Sequence, residues 1–114
     1  MAKFDVKALR QKVMTSDDIK HDEIYVSEWD ATLPIRTLSS AEMKEVMKHK
    51  DDQIRMLILA VLHGCKTPEG EKVFEQTDLA KFEAEKAFGP VAKVARKVLD
   101  LSGMDGDEVE DAKN

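Results

Sequence analysis

The sequence predicts an α+β class, with one predominantly helical domain of four to five helices, an N-terminal β-hairpin and a flexible acidic C-terminal tail. Three observations lead there. In Leu38-Ser39-Ser40-Ala41-Glu42-Met43, Ser39 can accept from the Glu42 amide while the Glu42 carboxylate reaches back to the Ser39 amide, and Leu38 can staple onto Met43. That capped helix start falls where an alternating, strand-like segment stops. Beyond it, apolar residues recur at helical spacing between turns marked by glycine and proline.

Residues 4–14 place Val6, Leu9 and Val13 at helical spacing and predict a short amphipathic helix, followed by the polar stretch Thr15 to Asp22. Residues 1–22 are therefore an N-terminal helix and linker, residues 23–104 a core domain, and residues 105–114 a disordered acidic tail. Within the core, residues 23–38 form the hairpin from Ile24-Tyr25-Val26 and Leu33-Pro34-Ile35. A turn centred between Asp30 and Ala31 would set Val26 opposite Ile35 and Tyr25 opposite Arg36. Pro34 has no amide hydrogen, so its strand must leave that position facing outward or distorted.

Helices are predicted at about 39–50, 52–63, 78–88 and 90–102. In the first, Met43, Val46 and Met47 line one face, with Lys44, Glu45 and Lys48 on the other. Asp51 or Asp52 can cap the second, where Ile54, Leu57, Ile58, Val61 and Leu62 make an apolar stripe. Met56, Leu59 and Ala60 widen that stripe, which marks the helix as central. Gly64 is placed to end it, and Thr67-Pro68-Glu69-Gly70 fits a type I turn before a short extended piece at Lys72-Val73-Phe74. Thr77 is a candidate cap for a helix carrying Leu79, Phe82 and Phe88, and Gly89-Pro90 separates it from the last helix. There Val91, Val94, Ala95, Val98 and Leu99 repeat the stripe, and Gly103 closes it.

Charged residues make up 36 % and apolar ones 42 % of 114 residues, the balance of a helix-rich globular unit with a Leu, Ile, Val, Met and Ala core. The net charge is −5. Asp105, Asp107, Glu108, Glu110 and Asp111 against Lys113 place −4 in the last ten residues, and the preceding 104 carry the remaining −1. Broad electrostatic capture of nucleic acid needs a concentrated basic excess, which this chain lacks. The single cysteine, Cys65, has no internal disulfide partner, and Met1-Ala2-Lys3-Phe4-Asp5 is not the start of a signal peptide; a cytoplasmic protein is the expectation. The longest apolar run, Met56 to Leu62, is far short of the roughly 20 residues of a membrane span.

Candidate chemistry is sparse. His63 and Cys65 with His49 or His21 lack the paired spacing of structural zinc, so no metal is expected. The plainer assignment is His63 as a cation at a helix C-terminus, with Cys65 a small buried hydrophobe. No base or orienting group marks Cys65 as a nucleophile, and carboxylates such as Glu83 and Glu85 alternate with lysines as a solvated face. The glycines are isolated, so no phosphate-cradling loop and no cofactor are predicted. No catalytic residue is expected and the chain is read as a non-enzyme. Lys93, Arg96 and Lys97 form a basic stripe on the last helix, most simply its wet side.

In order, the strand pair ending Ile35-Arg36-Thr37-Leu38-Ser39, the apolar helix Ile54 to Leu62, the turn Pro68-Glu69-Gly70-Glu71-Lys72-Val73-Phe74, the acidic start Thr77-Asp78-Leu79, the ending Val98-Leu99-Asp100-Leu101-Ser102-Gly103 and the acidic close with Lys113-Asn114 resemble a siphovirus-type phage tail assembly chaperone, a family also found in prophages. That resemblance implies a non-enzymatic role in virion morphogenesis, in which the chaperone binds the tape measure protein and helps recruit the tail tube protein. It also implies self-association, a host cytoplasmic location and absence from the mature virion. The family supplies no catalytic residues. Partner-binding candidates come from surface chemistry alone: Trp29, Met43 and Met47, because methionine and tryptophan suit adaptable apolar contacts with helices. Two rival functions are a small nucleic-acid-binding regulator using the last helix and a minor structural tail protein.

Overall fold

The computed structural model describes residues 4–104, so the predicted acidic tail, 105–114, lies outside the described residues. Among the described residues, five helices and a two-stranded antiparallel hairpin follow in the order α1 (Val6–Thr15), β1 (His21–Val26), β2 (Ala31–Arg36), α2 (Ser40–Met47), α3 (Gln53–Gly64), α4 (Asp78–Glu85) and α5 (Phe88–Leu101). This is the α+β arrangement read from the sequence.

α1 starts where Asp5 Oδ1 accepts from the Ala8 amide at 3.1 Å, which supplies the N-cap that the apolar pattern alone does not reveal. None of its residues is buried. The hairpin begins at His21, two residues inside the stretch assigned to the linker, and its register differs from the expected one. Val26 pairs with Ala31, Tyr25 with Thr32, and Asp22 with Ile35, a slip of four residues from the pairing of Val26 with Ile35. The cause is the connection: Ser27–Trp29 form a 3₁₀ turn and Asp30 adopts φ 45°, so the chain reverses earlier than a turn centred after Asp30 would require. Tyr25 Oη donates to Asp30 Oδ1 at 3.0 Å and braces that left-handed residue. Because four is even, side chains keep their faces, and Val26, Leu33 and Ile35 all enter the core. Pro34 is tolerated because both strands of this sheet have a free edge.

α2 opens with the predicted capping box: the Glu42 amide donates to Ser39 Oγ at 3.2 Å and the Ser39 amide donates to Glu42 Oε1 at 2.9 Å. It stops at Met47, short of residue 50, and turns join it to Asp52, whose Oδ1 accepts from the Arg55 amide to start α3. Every residue from Met56 to Leu62 is buried. Ile54 is the exception to the expected stripe at 55 % exposed, because the first turn of α3 projects beyond the layer that covers the rest. α5 packs along α3, with α2 and α4 against its other sides and the hairpin laid on α5. α3 is thus apolar around its whole circumference because it has neighbours on several sides.

Gly64 has a reason other than a left-handed helix end. A Cβ there would collide with both γ-methyl groups of Val98, so the absence of a side chain sets how closely α3 approaches α5. The predicted turn follows, with the Gly70 amide donating to the Thr67 carbonyl at 2.8 Å, and Lys72 forms a single antiparallel bridge with Lys66. Thr77 makes no cap hydrogen bond; instead Asp78 Oδ2 accepts from the Glu75 amide at 2.8 Å. α4 ends at Glu85 rather than at 88, and Phe88 belongs to the first turn of α5, where it is half exposed. Gly89-Pro90 does not break the chain between helices because proline in a first turn lacks only an amide that has no intrahelical partner. At the other end Gly103, with φ 89°, lets the Met104 amide reach the Leu99 carbonyl and its own amide reach that of Asp100, a Schellman closure.

Candidate functional site

Among the described residues, two apolar surfaces stand uncovered. The first is a pocket of about 230 Å³ between the hairpin and α4, lined by Trp29, Ala31, Leu33, Val73, Phe74 and Phe82, with Lys86 beside them. Phe82 organises it. Its ring stands edge-on to Phe74 at 5.1 Å between centroids and to Trp29 at 6.3 Å, so three aromatic rings from three segments hold one another upright. The walls are almost wholly apolar. The volume is below the roughly 300–1,000 Å³ of small-molecule sites and suits a pair of apolar side chains from another polypeptide.

The second surface is α1. Phe4, Val6, Leu9, Val13 and Met14 are all exposed, and Val6, Leu9 and Val13 share one face of the helix. Lys7, Arg10 and Lys12 lie between them, and the helix holds no acidic residue.

The three partner-binding candidates do not meet in one pocket. Trp29 lines the aromatic pocket, whereas Met43 and Met47 sit on α2, half-buried against the core, and neither lines that pocket. Sequence reasoning missed Phe74 and Phe82 as pocket residues, because they come together only through the packing of α4 on α3. The spacing Phe74 to Phe82 across a helix start was the one available signal. It does not by itself identify a partner for Trp29.

Polar groups near α3 are structural. Lys66 is buried and its ammonium pairs with Glu42 Oε2. His63, expected as a helix-end cation, is instead held below its ordinary pKa by burial, helped by Lys66 and Lys72 against the opposing pull of Glu42 and Glu45. Burial pushes the Cys65 thiol up to about 12, which leaves it protonated and unreactive. Among the described residues no group of three or more His, Cys, Asp or Glu is arranged to hold a metal ion. No helix among them is long and apolar enough to cross a membrane. The basic stripe of α5 is partly engaged by the hairpin: Lys93 Nζ donates to the Tyr25 carbonyl at 3.1 Å and Lys97 Nζ lies 3.6 Å from Asp22 Oδ2.

Neither a protein-family model nor a curated protein sequence matches this chain. Among solved structures it is similar to the bacteriophage HK97 tail assembly chaperone, at 14 % sequence identity and a TM-score of 0.60, over 83 % of this chain and 97 % of that one. The chain has the fold of a phage tail assembly chaperone.

Proposed function

We propose that this protein is a phage tail assembly chaperone that binds the tape measure protein and assists assembly of the tail tube, without catalysing a reaction. The observation that carries this is a fold shared over nearly the whole length of a known tail assembly chaperone. The surface chemistry supports it. A tape measure protein is a long helical chain whose apolar stripes would aggregate before the tube encloses them, and a small protein with uncovered apolar surfaces can shield them. The tape measure contact is assigned to the α2 face carrying Met43 and Met47, whose flexible thioethers adapt to varied helices. Trp29 lines the separate aromatic pocket with Phe74 and Phe82. The protein acts in the host cytoplasm and leaves before the virion is complete.

Co-expression with the tape measure protein of the same genome tests this. The chain is expected to keep that protein soluble and to co-purify with it, and exchanging Met43 and Met47 for the polar near-isostere glutamine is expected to weaken capture at least tenfold. A tape measure protein that stays insoluble and unbound beside a folded chaperone refutes the assignment. The nucleic-acid alternative draws less support, since Lys93 and Lys97 are engaged by the hairpin.

A further inference from the structure

α1 is ten residues long, begins with a side-chain cap and buries nothing. Isolated helices shorter than about 12–15 residues are marginal in water, so a helix of this kind is held mainly by whatever lies against it. Its charge says what that cover is. Lys7, Arg10 and Lys12 give the helix +3, with no acidic residue from Val6 to Thr15. The complement is an acidic segment, and the chain carries one. Residues 105–114 hold Asp105, Asp107, Glu108, Glu110 and Asp111 against Lys113, a net −4.

The fold roots both segments at one residue. Thr37 Oγ1 accepts from the Lys20 amide at 3.0 Å and donates to the Leu101 carbonyl at 3.2 Å. Lys20 ends the tether that follows α1, and Leu101 is the last residue of α5. One hydroxyl therefore joins the base of the basic helix to the base of the acidic segment. The lengths match as well. Five tether residues reach at most about 17 Å and the helix itself is about 15 Å long, so the far end of α1 lies within about 32 Å of Thr37. Ten extended residues beyond Met104 span about 33 Å, enough to meet α1 anywhere along it. The basic stripe of α5 is the poorer berth. Lys93 and Lys97 are engaged by the hairpin, and the negative end of the α5 dipole repels carboxylates that fold straight back over it.

We propose that residues 105–114 lie along α1 of the same chain, their carboxylates on Lys7, Arg10 and Lys12 and Val109 over the face of Leu9 and Val13. Exposed ion pairs of this kind are individually weak. A short tether supplies the high effective concentration that lets several of them hold together within one molecule. The contact is a removable cover: it hides a cationic amphipathic helix until a more strongly acidic surface takes its place.

The experiment uses the full chain. Cys65 is buried and its thiol stays protonated, so Ala112→Cys alone takes a spin label. A reference chain with the same label carries Asp105→Asn, Asp107→Asn, Glu108→Gln, Glu110→Gln and Asp111→Asn, and so keeps the tether but loses the acidic charge. Paramagnetic broadening of the α1 amides is expected to exceed the reference at least about threefold, and to fall to it in ~1 M salt, where the screening length is about 3 Å. Lys7→Glu with Arg10→Glu and Lys12→Glu, on a helix that buries nothing, is expected to remove the excess. Adding Asp107→Lys, Glu110→Lys and Asp111→Lys to that variant is expected to restore it. Equal broadening in the charged and neutral chains overturns the proposal, as does a charge reversal without effect. Broadening strongest at Lys93, Arg96 and Lys97 overturns it too, because the segment then lies on α5. So does broadening passed from a labelled chain to an unlabelled, isotope-enriched one, because the occupant of α1 is then a second copy.

Discussion

The Glu42 carboxylate divides its two oxygens between two segments: Oε1 accepts from the Ser39 amide at the start of α2, and Oε2 accepts from the Lys66 ammonium just beyond α3. Both side chains of the ion pair are nearly buried. A helix cap is thereby also the anchor that ties the chain after α3 to the beginning of α2. Burial alone would raise the Glu42 pKa, but the hydrogen bonds from Lys66 and Ser39 and the positive charges of Lys66 and Arg36 together hold it below its ordinary value.

Acid therefore weakens the fold at this point. The unfolded chain takes up the Glu42 proton at the ordinary value of 4.5, before the folded chain does, so the contribution is complete above that pH and is lost as the pH falls through the lower folded value. Glu42→Gln, which keeps an acceptor for Ser39 but removes the charge facing Lys66, is expected to destabilise by about 2 kcal/mol at neutral pH. Urea unfolding from pH 7 to pH 3 should show the variant with a flatter limb below 4.5. A separate loss below the ordinary histidine value of 6.5, from His63 held neutral by burial, should persist in it.

Gly64 and Val98 form a second coupled pair. Gly64→Ala is expected to push α3 off α5 and destabilise by about 1–3 kcal/mol, since overpacking a close helix contact forces backbone shifts. Val98→Ala removes the two methyl groups that the new Cβ would strike. The double variant should be more stable than the sum of the single changes predicts, a positive coupling of about 1 kcal/mol or more in a double-mutant cycle.

Cys65 is completely buried and its thiol is raised by that burial to about 12. Ellman's reagent is expected to leave it untouched in the folded protein at pH 8 and to label it fully in denaturant. Cys65→Ala should cost stability through lost packing while leaving partner capture intact, because the sulfur's role is that of a small apolar group.

Local features carried much of the fold into the sequence. The Ser39 and Glu42 reciprocal cap, the apolar run of α3, the Val and Ala stripe of α5 and the Gly103 closure each depend on residues within one or two turns of each other, so spacing reveals them. The hairpin was visible as two strands but not in register, because Ser27–Trp29 and Asp30 reverse the chain without an Asn-Gly type of signal. Phe88 looked like the end of α4 because a glycine and proline follow it, yet those residues fit inside the first turn of α5. The aromatic pocket and the Glu42 to Lys66 pair were hidden for a different reason. Their members are far apart in the chain, and only the packing of α2 and α4 around α3 makes them neighbours.

The corner between β2 and α2 is pinned from a great distance along the chain. Thr37 Oγ1 donates to the Leu101 carbonyl at 3.2 Å, and the Leu38 amide donates to Ser102 Oγ at 2.9 Å, each across 64 residues. During synthesis on the ribosome, that corner is held only by the paired bonds of Thr37 with Lys20 until the final turn of α5 has emerged. A nascent chain cut short before Ser102 would lack this tie across the corner and is expected to expose the segment between β2 and α2 to proteases more than the full chain does.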